Sequence, residues 1–81
     1  MEIDQEKLDE IVLALLFYNS HKVRHEIRAW KSLDWDTLDR LYEKEFISDP
    51  KGTAKSVALT DESHALGKEL FEKHFGLKEN S

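Results

Sequence analysis

Between Leu8 and Tyr18 the apolar positions recur at helical spacing, with Leu8, Ile11, Val12, Leu15 and Tyr18 in register. Leu13, Leu16 and Phe17 add apolar residues on the remaining faces. A helix that is apolar all round has to be covered all round. In a chain of 81 residues that makes it the central core helix or a helix shared with a second subunit. Asp4 can cap its start, Ile3 and Leu8 can staple it, and Glu6 suits the positive end of the helix dipole. Asn19 and Ser20 end it.

Residues 21 to 31 fit two patterns. Val23, His25, Ile27 and Ala29 alternate with Lys22, Arg24, Glu26 and Arg28, which is strand periodicity, whereas Val23, Ile27 and Trp30 sit at helical spacing. A short strand near 25–30 is expected, because a hairpin further along needs a third strand for stability. A second helix follows, with Asp34 as cap and Leu33 and Leu38 as staple. Trp35, Leu38, Leu41, Tyr42 and Phe46 line its apolar face. Asp36, Asp39, Arg40, Glu43 and Lys44 form the opposite, solvated face.

Asp49-Pro50-Lys51-Gly52 has the side-chain chemistry of a type I turn. Ile47 before it, and Val57 with Leu59 after it, supply inward-facing strand residues. Thr60 caps a last helix, with Asp61 and Glu62 in its first turn and Leu66, Leu70, Phe71 and Phe75 as its buried stripe. Gly76 is placed for a left-handed C-cap, with Leu77 folding back on Phe71.

The elements add up to an α+β, small winged-helix-like domain: helix, short strand, helix, two-stranded wing, helix. One domain over residues 1–77 and a disordered tail at 78–81 are expected. A chain this short buries only about 60–65% of its extended surface, so its core is small, and oligomerisation is one way to add buried area. The composition is 40% hydrophobic and 36% charged, which is globular. There is no cysteine, so neither a disulfide framework nor a thiolate zinc site can form. The acidic start MEIDQEKLDE lacks the basic opening of a secretory signal. The apolar run Ile11 to Tyr18 is far below the roughly 18 residues of a membrane span. No membrane association and a cytoplasmic location are expected.

Two short motifs resemble known families. Leu41-x-x-Lys44-x-Phe46-Ile47-Ser48 followed by Val57-x-Leu59-Thr60-x-Glu62 resembles the wing region of winged-helix regulators of the multiple-antibiotic-resistance-regulator type, over residues 38–71. Along nearly the whole chain, Leu13-Ala14-Leu15-Leu16, Arg28-Ala29-Trp30-Lys31, Asp34-Trp35-Asp36, Ile47-Ser48-Asp49-Pro50 and Ala54-Lys55-Ser56-Val57 resemble a bacterial domain-of-unknown-function family. The second likeness is the more specific and implies no biochemistry. Two positions depart from the wing pattern. Glu45 and Ser63 stand where it has glycines. Glutamate at the first site implies about 1 kcal/mol of strain or a different helix end. Serine at the second implies looser packing of the last helix. One helix of a full helix-turn-helix is also missing between residues 20 and 33.

The likeness to regulators implies DNA binding through the helix at 34–45. That helix carries Asp34, Asp36, Asp39, Glu43 and Glu45 against Arg40 and Lys44, and the whole chain has a net charge of −5. Phosphate contacts supply most nucleic-acid affinity, so this is a strong objection. An alternative basic surface would combine Lys22, Arg24 and Arg28 with Lys51 and Lys55. As plain structure, these lysines guard a strand edge and a turn.

Protein association, with a homodimer through the first and last helices, is the preferred reading. Its candidate interface is Trp30 with Leu13, Leu16 and Phe17, while Trp35 reads as a core residue on its helix's apolar stripe. No cofactor and no metal site are expected. His21 and His25 share a face only if their segment is helical, and a third ligand is lacking. The chain has no phosphate loop, nucleophile elbow or acid–base pair, so no enzymatic activity is expected. Enclosed pockets of roughly 300 Å³ are rare in domains of this size.

Overall fold

A computed structural model describes residues 1–31, 35–52 and 54–77. Their element order is α1 (Gln5–Tyr18), β1 (His21–Val23), β2 (Glu26–Trp30), α2 (Trp35–Glu43), β3 (Ser56–Leu59) and α3 (Asp61–Phe75). The strands form one antiparallel sheet in the order β1-β2-β3. The fold is α+β, as expected. The cap and staple assigned to Asp34 and Leu33, and the tail at 78–81, lie outside the described residues.

Residues 21–31 form two strands rather than one. Val23 pairs with Glu26 across a two-residue loop, and Arg24, its first central residue, has φ 59°. A tight hairpin loop needs positive φ there, a position glycine usually fills. β2 then pairs along its length with β3: Ile27 faces Leu59 and Ala29 faces Val57. Because side chains alternate across a strand, these four point to one face and close the core. On the far side of β3, Ile47 pairs with Leu59, and the Ser48 amide donates to the Ala58 carbonyl at 2.9 Å. The wing-like arm before β3 is therefore a single bridge, with the turn at Asp49–Gly52 in the loop that follows.

The core unites Val12, Leu13 and Leu16 of α1, Leu38 and Leu41 of α2, Ile47, and Ala29, Val57 and Leu59 of the sheet. Burying each such aliphatic side chain stabilises the fold by about 1.5–3 kcal/mol. α1 packs most extensively on α3, and they meet at Gly67. A Cβ there would come within 2.8 Å of Phe17 Cβ and 3.1 Å of the Leu13 carbonyl, so only glycine admits this approach.

Helix ends follow local chemistry. Asp4 Oδ1 accepts from the Lys7 amide at 3.1 Å. At α3, Thr60 and Ser63 form a reciprocal capping box: each hydroxyl accepts from the other's amide, at 3.0 and 2.9 Å. Ser63 is fully buried in this arrangement. Serine at this position thus fixes the start of α3 through hydrogen bonds of its hydroxyl that a glycine could not make. α2 ends in a Schellman arrangement. The Phe46 amide donates to the Leu41 carbonyl and the Glu45 amide to the Tyr42 carbonyl, with Glu45 at φ 64°. The left-handed backbone expected of a glycine is thus adopted by glutamate, with its strain. Gly76, in contrast, is extended at φ −67°, and Leu77 is almost fully exposed, so the expected left-handed cap does not form.

Candidate interaction surfaces

The five basic candidates do not share a face. Arg28 points away from the core and is fully engaged. Its Nε donates to Ser56 Oγ at 2.8 Å, Nη2 to the Ser56 carbonyl at 2.9 Å and Nη1 to Glu26 Oε2 at 2.9 Å. Lys22 is paired with Ile27 and so belongs to the other face of the hairpin. Arg24 sits at the hairpin tip, while Lys51 and Lys55 lie beyond the opposite end of β2, where the Lys31 amide donates to the Lys55 carbonyl. Five residues of strand put about 17 Å between the two ends.

The acidic helix α2 has a different role from that of a solvated face. Arg40 Nε donates to both Asp9 oxygens at 2.9 and 3.1 Å, Arg40 Nη2 donates to Thr37 Oγ1 at 3.0 Å, and Lys44 Nζ lies 3.2 Å from Asp9 Oδ2. Asp9 is only 5% exposed. Burial works to raise its carboxyl, but the hydrogen bonds and charges of Arg40 and Lys44 outweigh that and hold it below the usual carboxylate range. Arg40 of α2 and Lys44 just past its end are thereby both engaged by α1, and no sequence pattern marked the pairing. Across the helix pair, Glu10 accepts from His74 at 2.9 Å and meets Lys73 at 3.4 Å, and these contacts lower its carboxyl too.

The candidate interface residues divide. Leu13 and Leu16 are each 1% exposed and belong to the interior, so they are not surface residues. Phe17 is partly buried between α1 and α3, with its ring 5.0 Å from His64 and 6.0 Å from Phe71. Trp30 is 57% exposed on the outer face of the sheet, over the position of Ser56. Trp35 is 55% exposed, which overturns its reading as a core residue. It begins α2, outside the turn that Leu38 and Leu41 bury. Lys31 Nζ lies 5.7 Å from its ring and is held by the Pro50 and Gly52 carbonyls.

Sequence reasoning missed an aromatic stack at the surface. Tyr18, 66% exposed, stacks on Phe71 at 4.9 Å and 3°, and Phe71 in turn meets Phe75 at 5.2 Å. Leu15 and Ile11 stand one and two turns before Tyr18 on α1, partly exposed and outside the core cluster. The all-round apolar character of α1 is thus only partly covered within one chain. Clefts of 260, 430 and 490 Å³ are open to solvent rather than enclosed. The first has an apolar floor of Leu13, Leu41, Phe46, Leu66 and Leu70 under Glu6, Asp9 and Glu10. His21 lies in β1 and His25 in the turn, so they do not share a helical face. No helix is long and apolar enough to cross a membrane among the described residues.

The fold and these surfaces define a small α+β domain with three helices on a three-stranded sheet. Residues 4–77 match the family described as a domain of unknown function, DUF6429, and the chain belongs to that family. It is also similar to the protein called "Uncharacterized protein y4hR" of Sinorhizobium fredii (strain NBRC 101917 / NGR234). The two are 48% identical over 75 residues, which cover 93% of this chain and 97% of the relative. No solved structure matches the chain.

Proposed function

We propose that the protein is a non-enzymatic regulatory or adaptor module of the cytoplasm, acting through protein–protein association and forming a homodimer through α1 and α3. The observation that carries this reading is the partly exposed apolar stripe of Ile11, Leu15 and Tyr18, continued by Phe71 and Phe75. Large exposed aromatics clustered on one helix pair are typical of association surfaces. Trp30, on the open face of the sheet, is the anchor offered to a further partner. The capping role of Ser63 removes its hydroxyl as a nucleophile, which favours a non-catalytic role.

A winged-helix likeness belongs to this reading. β2, β3 and Ile47 lie side by side, and Ile47 and β3 fall between α2 and α3 in the chain as the strands of a wing do, but α2 follows a hairpin instead of a second helix. The DNA-binding alternative lacks a converging basic face, and Arg40 and Lys44 are bound to Asp9.

Sedimentation velocity from low micromolar to near-millimolar protein tests the proposal. A concentration-dependent dimer that Tyr18→Asp converts to monomer is expected, and a strict monomer over the whole range would overturn it. Anisotropy of a labelled random-sequence duplex at low salt is expected to stay flat. Binding that weakens steeply with salt would favour the DNA alternative.

A further inference from the structure

Resting on that homodimer reading, we infer that the two copies pair through α1 in antiparallel fashion, the basic β1–β2 hairpin of each lying against the acidic start of α1 in the other. Three separate features of α1 and its flanks lead to this geometry.

The first is charge without a partner. Glu2, Asp4 and Glu6 cluster at the N-terminal end of α1, with Lys7 as the neighbouring cation, and none of the three acids forms an ion pair among the described residues. At the other end, Lys22 and Arg24 are exposed and likewise without ion pairs among the described residues, beside His21 and His25. The nearby Glu26 is taken by Arg28. Among the described residues, one copy therefore carries acids without ion pairs at one end of a helix and bases without them just past the other. From Asp4 to Tyr18 the helix rises about 21 Å. A two-fold axis across its middle brings each end beside the opposite end of the partner, and both contacts become complementary together.

The second is what lies between the two charged ends. Ile11, Leu15 and Tyr18 are spaced four and three residues apart, the repeat with which one helix packs along another. The third is strain at the tip. Arg24 holds φ 59°, a conformation that glycine adopts freely. Strain kept at an exposed loop tip points to a use for the side chain that is placed there.

Area is consistent with such a partner. A monomer of this mass exposes about 5,000 Å², whereas this chain exposes 6263 Å², part of it at the exposed Met1 and Leu77. A stable interface covers about 800 Å² on each side.

Charge reversal tests the pairing. The Lys22→Glu/Arg24→Glu and Glu2→Lys/Glu6→Lys variants change only exposed residues, and Asp4 is spared because it caps α1. Circular dichroism and melting confirm that each variant folds. By sedimentation velocity at low salt, each variant alone is expected to dimerise at least about tenfold more weakly than wild type. An equimolar mixture of the two is expected to regain dimer to within about threefold of wild type, because every mixed pair again opposes unlike charges at both contacts. High salt is expected to weaken the wild-type dimer. A wild-type dimer that neither variant weakens, or a mixture that regains nothing, overturns the antiparallel pairing while leaving self-association standing. A wild-type chain that stays monomeric overturns both.

Discussion

Arg40 and Asp9 are 31 residues apart in the chain and meet as a two-pronged pair, with Arg40 Nε 2.9 Å from Asp9 Oδ1 and Nη2 2.8 Å from the same oxygen. The pair fastens α2 to α1 at the rim of the core, with Thr37 and Lys44 completing it. Because Asp9 is nearly buried, removing its charge leaves Arg40 facing a poor acceptor.

The Asp9→Asn variant is expected to lose about 2 kcal/mol of stability, measured by urea unfolding at neutral pH. The pH dependence has a definite sign. A carboxyl lowered in the folded state contributes stability above its unfolded value of about 3.9, and that contribution is lost as pH falls through the folded value. Wild-type melting temperature should drop steeply below about pH 4. The variant's curve should be flatter in the same window, and equal slopes would exclude the Asp9 pair as the cause.

Gly67→Ala tests the crossing of α1 and α3. Its new methyl would meet Phe17 Cβ and the Leu13 backbone, neither of which can swing away like the end of a flexible side chain. A loss of about 1–3 kcal/mol is expected, read as a lower urea midpoint. Alanine's better helix propensity would give a small gain if the helices were free to part.

The two left-handed residues share a sign in stability and differ in self-association. Glu45→Gly should relieve strain at the end of α2 and raise stability by about 0.5 kcal/mol, after allowing for glycine's greater freedom in the unfolded chain. Arg24→Gly should likewise raise the stability of the monomer, yet weaken self-association at low salt. Thermal melts and sedimentation on the same samples separate the two effects.

Exposure sets the contrast between Trp30 and Leu38. Leu38→Ala empties a fully buried core position and should cost about 2–5 kcal/mol. Trp30→Ala should change stability by less than about 1 kcal/mol despite the larger side chain removed, because the ring lies on an open sheet face. A large loss at Trp30 in thermal unfolding would make it a packing residue and withdraw it as a partner anchor.

Much of the fold was legible from short-range chemistry. Asp4 and Thr60 cap the helices they were assigned to, and Ile47, Val57 and Leu59 face the core as their alternation implied. Glu45 takes the left-handed conformation of the glycine it replaces. The segment at 21–31 was harder, since strand and helix spacings overlap there and Arg24, not a usual turn residue, sits at the bend. Trp35 misled for a related reason: the buried face of α2 centres on Thr37, Leu38 and Leu41, and Trp35, like Tyr42, lies at its edge. Of the surfaces, the basic residues and the apolar excess of α1 were visible, while the Tyr18–Phe71 stack was not.

Local sequence sufficed wherever the deciding contacts lie within a few residues: caps, turns, helix ends and the inward or outward sense of each strand. Tertiary structure alone decided the order β1-β2-β3, the capture of Arg40 and Lys44 by Asp9, the close approach at Gly67 and the scattering of the basic residues. Each of these depends on which distant segments meet. That is a balance of burial and chain closure over the whole fold, and no local pattern of charge or hydrophobicity encodes it.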